Sequence, residues 1–281
     1  MSDLTGKNYV ITGANTGIGK AAALQLAARG GRVILACRSE AKTMPVIDEI
    51  KAAGNPNAEF MSLDLGSLDS IRGTAAALNA RNLHIDGLIN NAGVAGQRGQ
   101  TKDGFELQFG TNHIGHYLWT RLLLDRVKAS APNRIVIVAS NSHLKAKGID
   151  WDAVQQPTKT YAGLHEYEVS KLCNVLFQRE LTRRLGPNSP VHTYALNPGR
   201  VATDGWRRIP QPFRWLVTRF MITSEQGGSY TVKCATDGAI ANDTGRYYNR
   251  GKVQDVNPLV TDALALDLWN RSAAWVGLPA D

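Results

Sequence analysis

Asn8-Tyr9-Val10-Ile11-Thr12-Gly13-Ala14-Asn15-Thr16-Gly17-Ile18-Gly19 is the stretch on which the fold turns. A short apolar run gives way to a glycine-rich turn, after which Ala21 to Ala28 carries helical spacing. The order is strand, turn, helix. In that order the backbone N–H groups of the turn approach a pyrophosphate at the positive end of the helix, and glycine permits the tight path. A glycine turn alone is a common strand-to-helix connection, so its meaning depends on the rest of the chain.

Five further apolar runs follow, and each ends in a distinctive residue or turn. Arg32 to Cys37 ends in Arg38, Phe60 to Leu63 in Asp64, and Gly87 to Ile89 in Asn90-Asn91-Ala92-Gly93. Arg134 to Ala139 ends in Ser140, and Val191 to Leu196 leads into Asn197-Pro198-Gly199-Arg200-Val201-Ala202-Thr203. Met44 to Ala53 and Leu68 to Leu78 have helical apolar spacing. Strands alternating with helices predict an α/β chain: a Rossmann-type, doubly wound parallel sheet with right-handed crossovers and helices on both faces. Ligands of such sheets sit outside the carboxyl ends of the strands, where these residues fall. At the second strand end an acid would serve a ribose 2′-hydroxyl, whereas an arginine accommodates a 2′-phosphate, so Arg38 indicates NADP(H).

Tyr167-Glu168-Val169-Ser170-Lys171 reads as helix and places a phenol and an ammonium four residues apart, on one face. An ammonium beside a phenol favours the phenolate and is expected to draw its pKa down from about 10. Tyr167 is therefore a candidate proton donor and acceptor. Gly104 to Ala129 reads as one long helix containing Thr111-Asn112-His113; His113 and His116 on it are read as packing or surface residues.

The T-G-x-x-x-G-x-G spacing of the first turn, the N-N-A-G turn and the Tyr-x-x-x-Lys pair together resemble the short-chain dehydrogenase/reductase family. The resemblance covers almost the whole chain. Thr111 to His116, Ser170 to Leu176, Leu268-Trp269 and Gly277-Leu278-Pro279 look like its retinol dehydrogenase-like branch. It implies a catalytic set of Asn112, Ser140, Tyr167 and Lys171, in which Asn112 distorts its helix and helps hold a water on the lysine. It implies NADP(H) contacts at Gly13, Asn15, Thr16, Gly17, Ile18, Gly19, Arg38, Asp64, Leu65, Asn91, Ala92, Gly93, Tyr167, Lys171, Pro198, Gly199, Val201 and Thr203. It further implies a small substrate lid over residues 204–223, where Trp206 to Ile222 mixes basic and bulky apolar residues. An apolar lid suits a small lipophilic alcohol or carbonyl; its basic face also suits peripheral contact with anionic lipid. Family members are often dimers or tetramers, so a homodimer is an expectation. The stretch from Ser140 to Tyr167 is longer than the family's usual spacing, and Ala139 stands where a second serine is common. Protochlorophyllide reductase is an alternative resemblance through Gly104-Phe105-Glu106-Leu107 and Lys171-Leu172-Cys173-Asn174, and a non-catalytic NADP sensor on the same fold is a second alternative.

The 281 residues, 43% of them hydrophobic, suit one domain over 1–281, with a nucleotide half to about residue 100 and a catalytic half beyond it. A net charge of +8 without a nucleic-acid motif fits a phosphorylated small molecule better than nucleic acid. Cys37, Cys173 and Cys234 are too scattered for a disulfide framework or a thiolate metal site, and are expected as packed free thiols. Neither a leader nor an N-terminal anchor is read, so a cytoplasmic protein is expected.

Overall fold

The computed structural model describes residues 3–199 and 222–281. Among the described residues, eight strands form one sheet: β1 (Asn8–Thr12), β2 (Arg32–Cys37), β3 (Ala58–Ser62), β4 (Gly87–Asn90), β5 (Asn133–Val138), β6 (Val191–Asn197), β7 (Tyr247–Asn249) and β8 (Lys252–Val253). Their order is β3-β2-β1-β4-β5-β6-β7-β8. Every neighbouring pair is parallel except β7 with β8, a short antiparallel edge that the sequence reading lacked. The order reverses between β1 and β4, and there the connections leave for opposite sides and open a crevice at the carboxyl ends.

Alternation along the strands assigns side chains to two cores. Val10, Ile34, Ala36, Ile135 and Ile137 face one, while Tyr9, Ile11, Val33, Leu35, Val136 and Val138 face the other. Against the first pack α3 (Leu68–Ala80), α5 (Gly115–Ala129), α6 (Leu164–Leu185) and α8 (Asp262–Trp275), through Ile71, Leu123, Leu172 and Leu268 among others. Against the second pack α1 (Gly17–Ala27), α2 (Glu40–Ala52) and α7 (Ser224–Thr236), through Leu26, Ile47 and Val232. A sheet covered on both faces explains why its strands read as continuous apolar runs.

The single helix expected from Gly104 to Ala129 is not what forms. Gly104 lies outside helix at φ +87°. Glu106 caps a short turn, α4 (Leu107–Phe109), its carboxylate accepting N–H bonds from Gln108 and Phe109 at 2.8 and 2.7 Å. Gly110 to Ile114 is then π-helical, the Gly115 N–H reaching back five residues to the Gly110 carbonyl, before α5 begins. A Cβ on Gly115 would lie 2.4 Å from the Leu65 carbonyl oxygen, so the bulge is pressed against the loop after β3. Helical spacing does not register one extra residue in a turn.

Candidate active site

The turn between β1 and α1 is built for close backbone approach. Gly13 and Gly17 have φ of +65° and +55°, the left-handed region that a side chain disfavours. A Cβ on Gly19 would fall 2.3 Å from Asn91 Nδ2 and 2.4 Å from the Gly13 carbonyl oxygen. Thr16 precedes α1 without a side-chain capping bond, and no acidic residue occupies the first turn. That leaves the helix end open to an anion, which fits the pyrophosphate of a dinucleotide. Cys37, at the end of β2, is buried, which pushes its pKa up, with Thr43 and the Ala14, Asn15 and Gly13 amides opposing. It is a packed free thiol, as are Cys173 and Cys234.

The end of β4 is stitched to this turn. Asn91 Nδ2 donates to the Thr12 and Gly13 carbonyls at 2.8 and 3.3 Å, and the Asn91 and Ala92 amides donate to Thr12 Oγ1 at 2.9 and 3.0 Å. Thr12 Oγ1 also lies 2.8 Å from His116 Nε2. Arg38 is exposed beyond β2, beside the same crevice. Asp64 Oδ1 is engaged by the Gly66 amide at 3.0 Å, and Leu65 is buried, so both shape the loop after β3.

The proposed catalytic side chains converge beside the ends of β4 and β5. Lys171, 3% exposed, donates from Nζ to the Val138 carbonyl at 3.0 Å and lies 5.6 Å from the Tyr167 ring centre. Ser140, just after β5, donates from Oγ to Ser142 Oγ at 3.2 Å and accepts the Ser142 amide at 3.2 Å. Asn112, fully buried in the π turn, grips both polar groups of Val94, accepting its N–H at 2.8 Å and donating to its carbonyl at 2.9 Å. Its Nδ2 also donates to Ser170 Oγ at 3.0 Å, and Ser170 Oγ donates to the Tyr167 carbonyl at 2.8 Å.

The charge balance corrects one expectation. Burial raises the Tyr167 pKa, and the opposing influence comes from the Ser140 side chain rather than the lysine. The reason is geometric: Lys171 directs its ammonium to the Val138 carbonyl and is itself desolvated, which draws its pKa down to about 8.

Residues 7–212 match the family model for short chain dehydrogenase. The chain belongs to that family. Human retinol dehydrogenase 11 is 41% identical over 283 residues, covering 99% of this chain and 88% of that protein. Human retinol dehydrogenase 13 is 40% identical over 291 residues, covering 99% and 86%. Among solved structures, an uncharacterised protein from Mycobacterium Paratuberculosis aligns over 100% of this chain and 97% of its own, with TM-score 0.78 and 29% identity. An NAD(P) dependent gluconate 5-dehydrogenase from Beutenbergia cavernae with bound NADP aligns over 88% and 96%, with TM-score 0.70 and 26% identity. The chain is thus a short chain dehydrogenase of the retinol dehydrogenase-like branch.

Of the family's clamp after β6, Pro198 is buried and the Gly199 amide donates to Asn197 Oδ1 at 3.2 Å, whereas Val201, Thr203 and nearly all of the lid lie outside the described residues. Sequence reasoning gave no role at the site to four residues that the fold brings to it, His116 having been read as packing or surface. Thr12 and His116 join the two turns. His143, buried, places Nδ1 2.7 Å from the Ser140 carbonyl and accepts the Asn257 amide on Nε2 at 3.3 Å. Tyr247 stacks edge-on to His143 at 4.8 Å and donates to Asn141 Oδ1 at 2.9 Å. The only local signals were a polar residue ending an apolar strand and a histidine three places after Ser140; Tyr247 had none.

Proposed function

We propose that this dehydrogenase is NADP-dependent and interconverts a small lipophilic alcohol with its aldehyde or ketone, Tyr167 serving as general acid and base. One observation carries the reading: the buried Lys171 ammonium lies 5.6 Å from the Tyr167 ring centre, on a helix whose Tyr167 peptide is tied through Ser170 to Asn112, beside the strand ends that carry Ser140 and adjoin the glycine cradle. Arg38 supports the 2′-phosphate form of the dinucleotide, as does the NADP held by the gluconate dehydrogenase relative. The names of the retinol dehydrogenase relatives support a lipophilic alcohol.

In this reading Gly13 to Gly19, Arg38 and Asn91 to Gly93 hold the dinucleotide. NADP(H), when bound, supplies or accepts the hydride. Ser140 donates a hydrogen bond to the substrate oxygen and orients it. Tyr167, kept protonated by burial at neutral pH, delivers its proton to that oxygen during reduction and recovers it during oxidation. Lys171 presents its ammonium to the same face and stabilises the phenolate as it forms.

The test is oxidation of NADPH and, separately, NADH by the purified protein against retinal, long-chain aldehydes and steroid and aromatic ketones. Turnover of a lipophilic carbonyl with NADPH preferred is the expected result. Preference for NADH, or NADPH binding without turnover of any of these, defeats the reading.

A further inference from the structure

His116 begins the regular part of α5 one helical turn after Asn112, is 1% exposed, and is polar on both sides of its ring. Its hydrogen bonds have a direction that can be deduced. Nδ1 lies 3.0 Å from the Asn112 carbonyl oxygen, which can only accept, so Nδ1 carries the hydrogen. Burial pushes the imidazolium down to about 4, so the ring is neutral near pH 7 and Nε2 is a bare acceptor. At 2.8 Å, Thr12 Oγ1 must then donate its proton to Nε2. Having donated, that oxygen keeps its lone pairs for the Asn91 and Ala92 amides, the two N–H donors it is observed to meet. The competing acceptor for the threonine proton, the Ile89 carbonyl at 3.5 Å, is at the outer limit of a hydrogen bond. Every donor in the chain has an acceptor only in this one arrangement.

The chain continues past Asn112. Its side-chain amide donates to Ser170 Oγ, and Ser170 Oγ donates to the Tyr167 backbone carbonyl. A buried series of polar contacts therefore runs from the turn after β4, through Thr12 at the mouth of the glycine cradle, through the imidazole, to the peptide that carries the general acid. The π turn ends two residues before His116 and holds Asn112 within it, its last bond running from the Gly115 N–H to the Gly110 carbonyl. We propose that His116 is a positioning residue of this enzyme, a neutral Nδ1–H imidazole that sets the spacing between the dinucleotide cradle and the Asn112–Tyr167 centre. The proposal rests on the oxidoreductase reading for its kinetic consequences but not for the tautomer.

Two substitutions separate the two ends of the ring. In His116→Asn the short amide keeps a donor near the Nδ1 position and gives up Thr12; in His116→Gln the longer amide offers Thr12 an acceptor and gives up the Asn112 carbonyl. The expected result is a split. The Asn variant raises the dissociation constant for NADPH, read by fluorescence, about tenfold, with the smaller change in kcat; the Gln variant lowers kcat at saturating NADPH about tenfold, with the smaller change in affinity, each being the effect of one buried hydrogen bond. Equal changes in both constants for both variants, or changes under about twofold, would mean that the ring only fills space. Because either variant could fail to fold, the decisive companion is the wild-type protein labelled with ¹⁵N-histidine, whose NMR spectrum identifies the tautomer directly. A neutral Nδ1–H ring for His116 from pH 8 down to 5.5 supports the assignment; an Nε2–H tautomer, or protonation above pH 6, overturns it. A wild type that neither binds NADPH nor turns over a carbonyl would defeat the functional reading and leave the NMR result to decide His116.

Discussion

Two helical runs on the same face of the sheet carry the proposed catalytic residues, and they were legible to different degrees. The run with Tyr167 and Lys171 is an unbroken helix of 22 residues, Leu164–Leu185, and the four-residue spacing fixes the relation of its two side chains locally. The run with Asn112 reads as regular by its spacing, and only the family resemblance implied a distortion there; the structure interrupts it with a π turn from Gly110 to Ile114. Spacing within one helix is a property of the backbone. Departure from it is held by contacts that are distant in sequence, namely the loop after β3 against Gly115 and the Val94 peptide against the Asn112 amide. The regular helix places the reacting groups; the irregular turn ties them to the rest of the molecule.

The largest expected effect tests the regular member of this pair. Tyr167→Phe keeps the ring and removes the proton, so kcat should fall by about 10²- to 10⁴-fold while NADPH still binds; full turnover would mean that the helix positions something other than the general acid. The next tests the irregular member. Asn112→Leu leaves both polar groups of Val94 and the Ser170 hydroxyl without their buried partner, and should lower the unfolding free energy by about 3 kcal/mol in urea titration. An unchanged midpoint would show that the π turn does not depend on that amide.

A smaller effect of opposite sign sharpens the contrast. Lys171 is buried with its pKa drawn down to about 8, so the unfolded chain binds its proton more readily between about pH 8 and pH 10. Its burial therefore costs stability below pH 8, and the cost is relieved as pH rises through that window. Lys171→Met should abolish turnover yet raise the unfolding free energy at pH 7 by about 2 kcal/mol, with the gain shrinking toward pH 10. Equal stability of the two proteins across that range would show that the ammonium is not penalised by its site. The smallest effect lies outside both helices: Arg38→Ala should weaken NADPH about tenfold and leave NADH unchanged, measured by fluorescence titration. Equal loss for both dinucleotides would remove the 2′-phosphate from the role of Arg38.

Much of the site was readable because it lies where local rules apply. β1, its glycine turn and α1 form a strand-turn-helix unit whose glycines are demanded by positive φ and by the approach of Asn91 to Gly19. The strand ends carrying Arg38, Asp64, Asn91 and Ser140 follow from alternation and burial on both faces. What stayed hidden depended on pairs far apart in the chain: His116 with Thr12, His143 with Asn257, and Tyr247 with Asn141. The effect of Lys171 on Tyr167 was misjudged for the same reason, because sequence spacing gives proximity but not the Val138 carbonyl that takes the ammonium.

By itself the sequence determined the α/β class, the glycine turn and the Tyr167–Lys171 pair, since periodicity, glycine placement and helical spacing act over a few residues; Asn112 and Ser140 entered through the family resemblance. The tertiary structure alone decided the π turn at Asn112, the direction of the hydrogen bonds through His116, and the raised pKa of Tyr167. Those depend on which groups meet after the chain has closed and on how much water has been excluded around them. Both are set by packing rather than by order along the chain.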